Sequence, residues 1–452
     1  MGEIKSTGRS VVFALGALCI ILAAALTATI ISYMSIIREK DTLISSLNTQ
    51  VSNLKEQVAE LQDQVMDLRD QIINAEGRNL VSSNTKFAFN IFKELSIEDR
   101  ERNIFISPLS ISIALAMTFN GAEGATKDAM ARVLQFGNMN LEEINHGFLN
   151  LIESLENVDE NVQLIISDSI WIRDIFKPYV KQDFLQRVRE YFESDVFIRD
   201  FGDPQTPDEI NAWIRNETSG KIDKMVDQID PELVMFLINA VFFKGEWLTS
   251  FNETATRKDD FYLSDGSTVK VDMMSTRGNF SYYEGENFRA VRLPYGGDKI
   301  VMYVFLPNRN VTLESFIDSL SPEVWQNYVS KFRLIEGLEV KFPKFKLEYG
   351  VKRLNDVLEK LGMEIAFDPS HADFRGIAQA DLFIEFVDHK AVIEVNEKGT
   401  VAAAATTVGV SLTSVPTPKP AFIVDRPFFF VIREDRSGTI LFIGKVVDPT
   451  LT

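Results

Sequence analysis

Three histidines, one cysteine and a scatter of serines limit the chemistry this chain could perform. His146, His371 and His389 fall in no HExxH spacing, and Cys19 has no partner with which to hold zinc. Cys19 also lies in an apolar run, where a reactive thiol is not expected, and a lone cysteine forms no intramolecular disulfide. Ser107 and Ser110 flank Pro108 and do not sit in a GxSxG elbow. Gly296-Gly297-Asp298 lacks the pattern of a phosphate loop. A Ser/His/Asp set assembled in space remains open, because such triads are not tied to sequence position. The expectation is a protein with no catalytic residue of its own, no metal and no cofactor.

A second segment suits chemistry done by another protein. Glu397-Lys398-Gly399-Thr400-Val401-Ala402-Ala403-Ala404-Ala405-Thr406-Thr407-Val408 joins a glycine to four alanines and a β-branched run, and Pro416, Pro418 and Pro420 follow. Alanine packs poorly on a pleated surface, so an ordinary strand would carry larger side chains. A segment that is exposed in one state and enters a crowded sheet in another needs small ones. Gly399 supplies backbone freedom where such a segment reverses direction. The bland alternative is a helical alanine run or a linker, since alanine has high helix propensity. In an extended strand Thr400, Ala402, Ala404, Thr406, Val408 and Val410 share one face. Neither a charge nor a proline, either of which would obstruct insertion, occurs between Gly399 and Thr413.

The flanks of this segment resemble those of the serpin family. Upstream stands His389-Lys390-Ala391-Val392-Ile393-Glu394-Val395-Asn396-Glu397. Downstream, Asp425-Arg426-Pro427-Phe428-Phe429-Phe430 leads to Leu441-Phe442-Ile443-Gly444-Lys445-Val446-Val447-Asp448-Pro449. Earlier come Asn103-Ile104-Phe105-Ile106-Ser107-Pro108-Leu109-Ser110, then Asn120-Gly121-Ala122, and Asn239-Ala240-Val241-Phe242-Phe243-Lys244-Gly245-Glu246-Trp247. The likeness runs from about residue 79 to the C-terminus. It implies helices packed on three β-sheets, with an exposed reactive-centre loop. It also implies a one-use trap for a serine protease: cleavage of the loop, an acyl-enzyme, and entry of the loop into the central sheet. Serpin loop insertion is an established instance of strand addition and of strain released by cleavage.

The resemblance carries residue roles with it. Ser107, Ser110, Asn239 and His389 match a buried polar cluster, the shutter, where the central sheet parts. Trp247 and Glu397 match positions where insertion begins, the breach; for Trp247 simple core packing is the alternative. Glu397, Gly399, Thr400, Ala402, Ala403, Ala404 and Ala405 form the hinge. Counting sixteen residues on from Glu397 places the reactive bond between Thr413 and Ser414, with Leu412 as the alternative residue. The segment from Glu397 to Pro427 is a few residues longer than in familiar members, which leaves that register open. A small Thr suits elastase- or subtilisin-like pockets, and Leu suits chymotrypsin-like ones. No Arg or Lys lies between Lys398 and Lys419, which disfavours trypsin-like targets. Family members that bind heparin use a basic helix; the corresponding region here carries Glu142, Glu143, Glu153, Glu156, Asp159 and Glu160, so no heparin site is expected. Members that do not inhibit often carry bulky, charged or Pro hinge residues, so inhibition is the leading reading and a non-inhibitory surface protein the runner-up.

The elements that must position these residues can be read from periodicity. Thr85 to Leu95 and Ser110 to Phe119 read as helices. Ile165 to Ile172, Val234 to Phe243, Lys299 to Leu306, Leu338 to Phe342, Phe428 to Arg433 and Ile440 to Val447 read as strands. Without regular βαβ alternation, the fold class is α+β. Ahead of this domain, residues 1–10 read as a tail and 11–33 as a transmembrane helix, uncharged from Val11 to Ile31. At about 1.5 Å per residue that run can cross a bilayer core of about 30 Å. A cleaved signal peptide is the alternative, although its apolar core is typically only about 7–15 residues. Residues 37–76 read as a stalk: Ile44, Val51, Val58, Val65 and Ile72 recur every seven residues, with Leu47, Leu54, Leu61 and Leu68 three residues after the first four. β-Branched residues at one seam position and Leu at the other favour a parallel two-stranded coiled coil, hence a homodimer; a monomeric amphipathic helix is the alternative. Gly77 reads as the helix breaker, and residues 79–452 form the main domain. The expected setting is a single-pass membrane protein with its large domain outside the cell, where sequons at Asn216, Asn252, Asn279 and Asn310 permit glycosylation. A net charge of −18 argues against nucleic acid and anionic lipid surfaces as partners.

Overall fold

The structure is a computed structural model, and residues 4–72, 78–156, 158–400 and 420–451 are described. The chain divides into two compact units, Met1–Asp70 and Gln71–Thr452. In the first, one uninterrupted helix runs from Ile4 to Ile72. It holds a stretch, beginning at Ile20, that is long and apolar enough to cross a membrane. Within it the Thr27 and Thr29 hydroxyls fold back onto the carbonyls of Ala23 and Ala25, so these polar groups need no outside partner. Further along, Ile44, Leu47, Val51, Leu54, Val58 and Leu61 are each about half exposed, so the apolar stripe is uncovered in the single chain.

The second unit is built on two sheets. Its strands, in chain order, are β1 (Ile104–Ile106), β2 (Val162–Arg173), β3 (Asp195–Arg199), β4 (Met235–Glu246), β5 (Arg257–Tyr262), β6 (Thr268–Glu284), β7 (Phe288–Pro294) and β8 (Ile300–Pro307). They continue with β9 (Arg333–Pro343), β10 (Phe345–Glu348), β11 (Lys352–Arg353), β12 (Phe386–Asn396), β13 (Gly399–Thr400), β14 (Ala421–Ile423), β15 (Phe428–Glu434) and β16 (Ile440–Val446). One sheet of nine strands runs β1-β16-β15-β8-β7-β6-β9-β14, with β5 on β6; the other, of seven, runs β10-β12-β13-β4-β2-β3, with β11 on β12. The expectation of three sheets is corrected here. β6 is 17 residues long and pairs with β5, β7 and β9, and its register against β9 shifts between Gly278 and Phe280. The strand bends at that irregularity instead of ending, so two sheets share one ladder.

The closing pair near the C-terminus is β15 against β16, antiparallel and wholly buried. Residues 428–432 and 440–443 within them read as continuous apolar runs because neither face meets water. The helix Pro108–Phe119 is buried along its whole length, as an apolar helix must be when it has no polar side to show. Pro108 opens it, and the Ser107 side chain caps it by accepting from the Ser110 N–H. The helix Leu141–Leu155 starts with a capping box between Asn140 and Glu143. Its carboxylates Glu142 and Glu143 therefore stand at the helix end that favours negative charge.

Candidate functional site

The site lies where β4 and β12 run side by side. They pair in parallel from Phe236 opposite Phe386 to Phe242 opposite Val392. Beyond that point they part, and β13 stands between them. Thr400 faces Val395 on one side and Gly245 on the other; Gly399 faces Asn396 and Glu246. The first two residues after the Glu397–Lys398 turn thus already form a strand inside the sheet. Gly399 is required there, because its φ is +150° and a Cβ would lie 2.1 Å from the Gly245 carbonyl oxygen.

A polar latch surrounds this wedge. The Tyr295 hydroxyl meets Thr400 Oγ1 at 3.0 Å, with both side chains buried. Its ring stacks on Trp247 with centroids 4.3 Å apart and packs beneath Gly245, where a Cβ would come within 2.8 Å of it. Trp247 Nε1 donates to the Asn396 carbonyl at 2.9 Å, so Trp247 is both core packing and a tie to the turn before the hinge. Glu397 accepts from Thr256 Oγ1 at 2.7 Å and pairs with Lys344 Nζ at 2.9 Å. Burial alone would raise its pKa, but these two donors outweigh burial and hold the carboxyl below its ordinary value.

Six residues further into the sheet, the predicted polar cluster is assembled. The Ser107 backbone N–H donates to His389 Nε2 at 3.2 Å. Nε2 therefore accepts, the ring proton sits on Nδ1, and Nδ1 donates to Asn239 Oδ1. Asn239 Nδ2 in turn donates to Ser110 Oγ and to Asp168 Oδ1. Asp168, Asn239 and His389 stand directly opposite one another on β2, β4 and β12. Burial holds His389 neutral, with its pKa pushed down to about 3. Burial pushes Asp168 up to about 8, against the lowering effect of Asn239. Its second oxygen has no hydrogen-bond partner among the described residues.

The cluster contains the residue types of a hydrolase triad without the geometry of one. His389 spends one nitrogen on a backbone N–H and the other on Asn239, so it is placed to deprotonate neither serine. Ser107, Ser110, His389 and Asp168 are all buried. Among the described residues no group of three or more His, Cys, Asp or Glu is arranged to hold a metal ion.

Sequence reasoning missed Asp168, Tyr295, Thr256 and Lys344. Only Asp168 left a signal: Ser167-Asp168-Ser169 interrupts an otherwise apolar strand. Tyr295, Thr256 and Lys344 come from three separate parts of the chain, so their meeting is a product of topology. The predicted positions Ala402, Ala403, Ala404, Ala405, Leu412, Thr413 and Ser414 lie outside the described residues.

Comparison with known proteins places this geometry. The family described as "Serpin (serine protease inhibitor)" matches residues 82–449. An uncharacterized serpin-like protein of Methanosarcina acetivorans is 33% identical over 382 residues, covering 82% of this chain and 88% of that protein. The native state of Tengpin, a thermophilic serpin, superposes with a TM-score of 0.74 at 34% identity, covering 81% of this chain and 94% of Tengpin. Human thyroxine-binding globulin complexed with thyroxine gives a TM-score of 0.76 at 29% identity, covering 83% of this chain and 100% of that one.

Proposed function

The chain belongs to the serpin family, and on that premise we propose that it is a suicide-substrate inhibitor of serine proteases, tethered to a membrane by its N-terminal helix. One observation carries this reading: the two registers that grip the hinge converge on the polar cluster. In a strand continued antiparallel from these two pairs, each residue further along the loop would lie opposite one residue further back on both β4 and β12. Six residues beyond Thr400, the β4 register moves from Gly245 to Asn239 and the β12 register moves from Val395 to His389. The continued strand therefore puts Thr406 between Asn239 and His389. Thr406 shares a face with Thr400, so its hydroxyl would point toward the cluster. That hydroxyl can accept from His389 Nδ1 and donate to Asn239 Oδ1. The sheet can then open and close again with no additional orphaned polar group, each of which would cost roughly 1–3 kcal/mol.

The reaction proposed is the one the family resemblance implies. A target protease attacks the Thr413 carbonyl, an ester forms with its serine, and the Ser414 amine leaves. The freed hinge side, no longer held at its far end, continues the strand that Gly399 and Thr400 have begun. Thirteen or so residues extended at about 3.3 Å each span roughly 45 Å, enough to carry the acylated protease along the sheet. The loop composition suits elastase-, subtilisin- or chymotrypsin-like targets. The uncovered heptad stripe of the first unit suits a parallel dimer, and the apolar stretch suits a lipid bilayer, with the main domain outside the cell. A second reading is kept on one observation: thyroxine-binding globulin shares the fold and is seen in complex with thyroxine. On that reading the chain is a non-inhibitory surface binding protein.

The test uses the full chain in detergent micelles, mixed in turn with subtilisin, an elastase and chymotrypsin. The inhibitory reading expects a covalent complex that survives denaturing gels, loss of protease activity, and a released peptide beginning near Ser414. Cleavage at the same place with no complex and full protease activity would hand the function to the second reading.

A further inference from the structure

Behind the pocket that receives Thr400 lies a carboxylate with no role in the trap described above. Asp159 lies just before β2, is 5% exposed, and has no ion-pair partner among the described residues. Both of its oxygens go to backbone amides: Oδ2 accepts from the Gly297 N–H at 2.5 Å and Oδ1 from the Asn161 N–H at 3.0 Å. Gly297 belongs to the turn that directly follows Tyr295. In that turn Gly296 has φ +44° and Asp298 φ +70°, and a Cβ on Gly296 would lie 2.3 Å from Asp159 Oδ1. The turn is closed by the Asp298 N–H on the Tyr295 carbonyl at 2.8 Å and tied to β4 by the Gly296 N–H on the Glu246 carbonyl at 2.8 Å. The Glu246 N–H donates back to the Asn161 carbonyl at 3.2 Å, which completes a ring around the end of β4. A carboxylate seated among backbone amides is an anion in its own nest, here supplied by the chain itself.

We propose that Asp159 is a positioning residue for loop insertion: its carboxylate fixes the Tyr295 turn so that the phenol hydroxyl meets Thr400 and the sheet accepts the hinge. The proposal rests on the trap reading. Asp159 acts through Tyr295, so its removal leaves attack on the reactive bond unaltered and slows the step after it. More acyl-enzyme is then hydrolysed before it is trapped.

The experiment compares wild type, Asp159→Asn, Asp159→Ala, Tyr295→Phe and the double variant Asp159→Asn/Tyr295→Phe, each as the full chain in micelles. The protease is whichever of the three complexes with wild type. The readouts are the rate of loop cleavage and the ratio of cleaved to complexed chain. Asp159→Asn keeps the size and one acceptor, so it guards against a variant that fails to fold. The expected result is an unchanged cleavage rate, a ratio raised at least about threefold in Asp159→Asn and more in Asp159→Ala, and little further change when Asp159→Asn is added to Tyr295→Phe. Wild-type ratios in both Asp159 variants would overturn the proposal and leave the trap standing, as would effects that simply multiply in the double variant. If wild type complexes no protease, annealing of a synthetic Gly399–Ser411 peptide into the sheet is measured instead. Annealing slowed at least threefold in Asp159→Asn supports the positioning role without the trap. Annealing at the wild-type rate, or none in wild type, overturns the role.

Discussion

Asp168 and His389 are both buried and both neutral at pH 7, yet they push stability in opposite directions as pH changes. His389 has its pKa pushed down to about 3, so below its ordinary value of about 6.5 the unfolded chain binds a proton that the folded chain refuses. Stability then falls as pH drops through that window. Asp168 has its pKa pushed up to about 8, so above about 4 the folded chain keeps a proton that the unfolded chain has released. Its contribution is complete at low pH and is lost as pH rises toward 8. Between about pH 4 and 6.5 the two trends offset one another; between about 6.5 and 8 only Asp168 acts, with a limiting slope of about 1.4 kcal/mol per pH unit. Asp168→Asn is therefore expected to melt higher than wild type at pH 8, with a gap that shrinks on going to pH 6.5. Melting curves across that range check this, and parallel pH profiles for the two proteins would refute it. The four predicted cluster residues were legible because a motif surrounds each of them. Asp168 was not, since a lone acid in a strand reads equally well as an exposed position until β4 and the Pro108–Phe119 helix cover it.

At the scale of elements, the hinge joins a backbone requirement to a side-chain one. Gly399 has a left-handed φ and no room for a Cβ, so Gly399→Val should expel the hinge from between β4 and β12. Ala404→Arg acts differently: the hinge can seat, but a buried unpaired charge halts the strand before Thr406 reaches the cluster. Both variants are expected to be cut at the wild-type rate while the yield of covalent complex falls at least tenfold, which gel densitometry measures. Undiminished complex from either would show that this sheet is not where the loop goes. The two helices and six strands read from apolar periodicity are all present, whereas short or half-exposed strands such as β1, β3, β5 and β14 give too little pattern to be read. β15 and β16, and the helix begun by Pro108, lie where the pattern put them. The merging of sheets through β6 was hidden, because a bulge at Gly278–Phe280 changes a strand's direction without changing its alternation. The two-residue strand β13 was hidden as well, since Gly399 and Thr400 are ordinary loop residues until neighbours on both sides pair with them.

For the whole molecule, the heptad stripe from Ile44 to Leu61 predicts self-association. Burying a Leu that is now half exposed is worth on the order of 1 kcal/mol, and the effect accumulates along a seam of this length. Leu47→Asn with Leu54→Asn should convert a two-copy particle in micelles into a one-copy particle, read as mass by light scattering. A wild-type mass of one copy would remove the dimer while leaving the trap untouched. The trap itself turns on a single structural change, the separation of β4 from β12. The most direct measurement is a crystal structure of the chain after cleavage in its loop. Insertion predicts Thr406 between Asn239 and His389, with those two strands about 9.6 Å apart, two strand spacings of about 4.8 Å. Asn239 and His389 still adjacent at a single spacing in the cleaved chain would contradict the account.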